Sequence, residues 1–164
     1  MSGFGIVGVL CFLQLLTVLV QCSPDGAPTI ACQTLEPQHG GNVHAQSGHG
    51  TFELKAETND GILTITLSST ESKKFKGFII QPRSVDESDK IIDGTFTAGS
   101  NSKTIDCFDK KANTLTHKSS DEKSKVSATW KPEKSITGKF VFNATVVIEK
   151  TIYYINIVSD ALEL

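Results

Sequence analysis

An antiparallel β-sandwich of about eight short strands is the fold class this sequence predicts. Three observations carry it. Beyond Gly50, apolar and polar residues alternate at period two; Pro, Gly and Asp-Gly signals cut that pattern into short runs; and no apolar stripe at helical spacing outlasts two turns. Composition agrees, because a chain that is 38% hydrophobic and 21% charged is too apolar to stay disordered. Its 164 residues suggest one principal domain, and no internal repeat interrupts it. With 16 basic against 18 acidic side chains, the net charge is −2. That balance lacks the clustered Lys and Arg of a nucleic-acid binder, so nucleic acid is not an expected partner.

The elements follow in order. Phe4 to Val20 is an apolar run ending ahead of Cys22-Ser23-Pro24, which predicts a secretory signal peptide over residues 1–22 with cleavage after Cys22. No Lys or Arg precedes the run, a departure from the usual signal pattern. The run falls short of the ~20 residues a membrane span needs and no basic flank follows it, which argues against an anchor. No later apolar stretch approaches that length, and the C-terminus is neither a lipid-anchor signal nor a retention tag. The expected product is a soluble, secreted, extracellular chain with no membrane span. Cys11 and Cys22 would leave with the signal, so Cys32 and Cys107 would remain, and two cysteines in an oxidising compartment pair by default. A thiol nucleophile is the alternative.

Residues 23–31 read as a short Pro- and Gly-containing leader, and Glu36–Gly50 as a Gly- and His-rich loop. Phe52, Leu54 and Ala56 alternate with polar neighbours, as do Leu63, Ile65 and Leu67; Asp60-Gly61 between them predicts a tight hairpin turn. Phe75–Gln81 is an apolar run that Pro82, lacking an N–H, is expected to end. Further strands are predicted at 94–97, 104–108, 114–117, 125–131, 138–148 and 152–158. Between them the charged stretches 84–93, 118–125 and 132–137 read as solvated connections of mixed sign. Phe78, Trp130, Phe140 and Phe142 are the expected core aromatics, and Tyr153 and Tyr154 pack in the core or at an edge.

Chemistry-bearing patterns are few. The sequence has no Gly-x-Ser-x-Gly elbow, His-Glu-x-x-His pair, phosphate-cradling Gly loop or Cys-x-x-Cys, so no catalysis and no cofactor is expected. Asp86-Glu87 and Asp121-Glu122 are adjacent acids in charged loops and read as solvated. His39, His44 and His49 recur every five residues in the Gly-rich loop, with His117 far along the chain; the spacing matches no zinc module, so they are candidate ligand contacts and not a metal site. Asn143-Ala144-Thr145 is a glycosylation acceptor, and period two places Asn143 and Thr145 on an outward face.

The ordered set of marked residues resembles the reeler domain, and in particular the small secreted single-reeler defence proteins of invertebrates, the noduler-like group. The resemblance rests on Cys32, Pro37-x-His39, Phe75-Lys76-Gly77-Phe78-Ile79-Ile80-Gln81-Pro82-Arg83, Gly94-Thr95-Phe96, Cys107, Thr116-His117, Thr129-Trp130-Lys131-Pro132, the Gly138–Val147 strand and Tyr153-Tyr154. Pro82 replaces the family's usual Ala, the loop Gly40–Gly50 is unusual, and a frequent terminal Tyr-Trp pair is missing. The resemblance implies an immunoglobulin-like sandwich over residues 32–164, tied by Cys32–Cys107. It also implies recognition of microbial surface glycans or glycolipids such as lipopolysaccharide or β-glucan, with haemocyte surfaces as further partners in nodulation. An extracellular-matrix or reproductive-fluid adhesion module is the alternative. Reductases that carry the same module also need membrane and haem domains, so reductase activity is not expected of this chain. Loops at the ends of a sandwich vary without disturbing its core. Glu36–Gly50 and Lys118–Lys125 are therefore the candidate contact loops, with Lys118, Lys123 and Lys125 the candidates for pairing with lipid phosphates.

Overall fold

The computed structural model describes residues 23–40, 42–134 and 136–163, so the signal-peptide reading of residues 1–22 lies outside the described residues. Among the described residues, nine strands form two antiparallel sheets. The first sheet holds β1 (Phe52–Asn59), β2 (Ile62–Ser69), β7 (Lys125–Pro132) and β4 (Gly94–Thr97) in the order β1-β2-β7-β4. The second holds β3 (Gly77–Ser84), β5 (Ser102–Cys107), β6 (Lys110–His117), β8 (Phe140–Glu149) and β9 (Ile152–Val158) in the order β5-β6-β3-β8-β9.

Alternation places the core between the sheets. Leu63, Ile65 and Leu67 of β2 and Val126, Ala128 and Trp130 of β7 face Phe78, Ile80, Phe140, Phe142, Ala144 and Val146 of the second sheet. Trp130 is fully buried and meets Phe142 edge-on at 5.4 Å between ring centroids. Asp60 and Gly61, with φ of 49° and 74°, close the β1–β2 hairpin as a two-residue turn.

Two strand boundaries differ from the sequence reading. Pro82 does not end β3, which runs on to Ser84 with Pro82 opposite Phe142. Phe142 turns its own N–H and C=O towards Ser159 on the far side, so the Pro82–Phe142 pair exchanges no ladder bonds. The ring nitrogen faces the other neighbour, β6, whose pairing with β3 has already ended at Ile80. Phe108, expected inside a strand, instead opens the β5–β6 turn, where it and Asp109 take φ of 53° and 59°.

The outer face of the second sheet is covered as well. β3 is buried on both faces along most of its length. The cover is the N-terminal segment, whose 3-10 turn Thr29–Cys32 seats Ala31 and Leu35 on Ile79. Cys32 is bonded to Cys107 at the end of β5, across a sequence separation of 75. Residues 23–31 are thus a strap rather than a free leader.

Candidate functional site

The strap does not lie flat. Between it and the outward side chains of β3, β6 and β8 remains a half-open groove of about 320 Å³, lined mostly by apolar residues. The strand pleat sends Gly77 and Ile79 of β3 and their partners Val147 and Thr145 of β8 to this face, while Phe78 and Val146 turn into the core. Thr145 is therefore outward in register, as the sequence predicts, yet only 2% exposed, because the strap covers it. Its hydroxyl has no hydrogen-bond partner.

His117 closes one wall. The Phe78 N–H donates to its Nδ1 at 3.2 Å, leaving Nε2–H to donate to the Ser23 carbonyl at 3.3 Å. Burial holds the imidazole below its ordinary pKa against the raising effect of the Phe78 and Ser23 carbonyls, 3.2 Å from Nδ1 and 3.3 Å from Nε2, which accept from the protonated ring, and Lys123 and Lys103 add to the lowering. Next to it, Ala27 N–H donates to Thr116 Oγ1 at 2.9 Å, pinning the strap to β6. His39 reaches the mouth, its Nδ1 2.6 Å from the Lys150 carbonyl and its ring edge-on to Tyr153.

The other sequence candidates scatter. His44 and His49 are exposed and outside this groove, so the four histidines do not converge. Among the described residues, no three His, Cys, Asp or Glu side chains are grouped to hold a metal ion. Lys118 and Lys125 project into solvent, but Lys123 does not belong with them. It is 4% exposed, and its ammonium donates to the carbonyls of Lys76, Ser119 and Asp121 at 2.7, 2.8 and 2.5 Å. Burial lowers its pKa, and Asp121 opposes that shift. Its role is to staple the 118–124 turn to the start of β3. Asn143 is half-buried, with Nδ2 donating to Asn156 Oδ1 at 3.3 Å.

Sequence reasoning left Gln81 and Arg83 without a role. Both lie buried on the strap side. Arg83 Nη2 donates to the carbonyls of Cys32 and Gln33 at 2.8 and 3.0 Å and to Gln81 Oε1 at 2.5 Å, while Nη1 reaches Asp89 O at 2.9 Å. Gln81 Nε2 in turn donates to Thr114 Oγ1 at 2.8 Å. The signal for this was two long polar residues at i and i+2 in an otherwise apolar strand.

A family model described as the Reeler domain matches residues 30–164. The chain belongs to the Reeler domain family. Among its relatives, the Drosophila melanogaster protein named Defense protein l(2)34Fc is 32% identical over 155 residues, which cover 90% of this chain and 92% of that one. Human Ferric-chelate reductase 1 is 26% identical over 150 residues, covering 90% of this chain but 25% of the reductase. This reeler chain therefore spans about a quarter of the length of the ferric-chelate reductases it matches, 26% in the Danio rerio relative. The human F-spondin reeler domain superposes with a TM-score of 0.58 at 19% identity, over 74% of this chain and 95% of that structure, a likeness of fold. No helix among the described residues is long and apolar enough to cross a membrane.

Proposed function

We propose that this reeler protein is a secreted, non-catalytic defence protein of invertebrate innate immunity. It recognises microbial surface components, lipopolysaccharide or β-glucan, and promotes haemocyte aggregation around them. The observation that carries the reading is the match with Defense protein l(2)34Fc, which covers 90% of this chain and 92% of that one. The Cys32–Cys107 bond supports secretion, since such bonds persist in oxidising compartments. Asn143 carries the N-glycan on this reading, attached through its solvent-side Nδ2.

The contact surface is one end of the sandwich. Antiparallel pairing brings the start of β1, the end of β2, the start of β7 and the end of β6 to that end, with loops 36–50 and 118–124 beside them. Exposed Lys73, Lys74, Lys118, Lys125 and Lys150 stand there among Glu71, Asp121, Glu122 and Glu149. Lysine clusters of this kind pair with phosphate-bearing glycolipids as point charges.

A pull-down on whole bacteria, fungal wall and immobilised lipopolysaccharide, beside a control lectin, tests the reading. Retention is expected, and Lys118→Ala with Lys125→Ala should weaken it on the anionic glycolipid. Absence of retention on all three surfaces, with the lectin retained, overturns the recognition role.

A further inference from the structure

The groove under the strap opens beside the charged end of the sandwich, sharing Glu149 and Lys150 with it, and its apolar interior carries an inference that does not depend on microbial recognition. We propose that it is a binding site for a small neutral amphiphile, a medium-chain molecule with one hydroxyl or carbonyl oxygen, held with that oxygen against Thr145 Oγ1.

Three observations define the ligand. First, the size: at about 30 Å³ for each water-sized group, 320 Å³ accommodates about ten such groups, at the small end of ligand pockets. Second, the walls: Ala27, Pro28, Leu35, Ile79 and Val147 offer apolar surface, which a hydrocarbon body covers and a sugar does not. Third, the inner end: Thr145 is 2% exposed, its pleat position turns it to the strap side, and its hydroxyl is unpartnered and itself closed off, so that it meets a ligand oxygen only once Thr145 turns about χ1 or the strap gives way. A buried hydroxyl left unpaired is uncommon enough to need a reason, and a ligand oxygen supplies one.

The same geometry excludes an ionised head at that end. The cations lining the groove, Lys76 and Lys150, lie at its outer mouth with Glu149, two or more strand positions from Thr145. Of the two histidines lining the groove, His117 has both ring nitrogens engaged by backbone, and His39 stands at the mouth with Nδ1 2.6 Å from the Lys150 carbonyl. A carboxylate seated on Thr145 would be buried without a countercharge, which is strongly unfavourable.

The test uses the full chain produced in insect cells, with the fluorescent probe N-phenyl-1-naphthylamine displaced by 1-decanol or by decanoate. Decanol is expected to displace the probe more effectively than decanoate. Thr145→Val, which keeps the shape and removes the hydroxyl, should weaken decanol roughly five- to tenfold, and Thr145→Ser should restore binding to within about twofold. Val147→Trp, which fills the groove, should abolish displacement, with its unfolding curve checking that it folds. The proposal is overturned if decanol fails to displace the probe or if Thr145→Val binds it unchanged. It is also overturned if decanoate binds more tightly in a manner lost with Lys76→Ala and Lys150→Ala, because the head would then sit at the mouth.

Discussion

Replacing Arg83 by Met keeps the aliphatic stem and removes the guanidinium that ties strap to sheet. Arg83 is 5% exposed, so water cannot readily take over its bonds. Two of its acceptors, the Cys32 carbonyl at 2.8 Å and Gln81 Oε1 at 2.5 Å, are buried; those on Gln33 and Asp89 border solvent and can rehydrate. Each buried acceptor left unsatisfied costs about 1–3 kcal/mol, a range of about 2–6 kcal/mol for the two. Part is recovered because the charge no longer has to be buried, the same desolvation that lowers the Arg83 pKa, with Asp89 opposing it. The expected net loss is ~3 kcal/mol, read from urea unfolding with the Cys32–Cys107 bond intact. In a chain with both cysteines changed to Ala, the strap is released and Arg83 has already lost Cys32 and Gln33. The same substitution should then cost at least ~1 kcal/mol less. A loss below ~1 kcal/mol, or full additivity in the double-mutant cycle, would refute the view that Arg83 holds the strap.

Four further outcomes are expected. His117 has a lowered pKa in the fold, so below its ordinary value of 6.5 the unfolded chain takes up a proton that the folded one refuses. Stability should therefore be flat above about pH 7.5 and fall with pH through 6.5 by up to ~1.4 kcal/mol per unit, and His117→Gln should lose that slope in urea midpoints taken from pH 7.5 to 5. Gly94→Ala places a Cβ 2.2 Å from Trp130 Cζ2 and 2.7 Å from the Lys131 carbonyl, and should cost ~3 kcal/mol by thermal unfolding. Phe108→Asn puts a residue tolerant of positive φ into the β5–β6 turn and should stabilise by ~0.5–1 kcal/mol in the same assay. Opening the disulfide with Cys32→Ala and Cys107→Ala should cost ~4.5 kcal/mol on the chain-entropy estimate for its 75-residue separation; an unchanged unfolding midpoint would show that the bond constrains little.

What the sequence disclosed follows the range of the interactions responsible. The Asp60-Gly61 turn and the alternation of β2, β7 and β8 are local, and they appear in the structure where the residues place them. Pro82 misled because a missing N–H matters only where the ladder needs it, and that depends on which way Phe142 faces across the sheet. Phe108 looked like a strand residue by type, while the tight β5–β6 turn, set by pairing of Cys107 with Lys110, forces it to positive φ. Lys123 counted as a loop cation because its three carbonyl acceptors include one contributed by Lys76, 47 residues away.

The groove was the least legible feature, since it is assembled by contacts such as His117 Nε2 to Ser23 O, 94 positions apart. One trace of it was nevertheless present. Phe75–Gln81 is apolar without alternation, and a strand of that kind must be covered on both faces. The first sheet covers one face. For the other, the sequence offered a segment rich in small apolar residues and ending at Cys32, whose bond to Cys107 anchors it beside β5. A short strap held by a disulfide, by Arg83 and by Thr116 is fixed at separate points along its length rather than packed throughout. Between fixed points, small side chains such as Ala27 and Gly77 cannot fill the space above β3 and β8. The devices that attach the strap are therefore also what keeps the groove open, so loosening Arg83 should degrade both stability and decanol binding, whereas Thr145→Val should degrade binding alone.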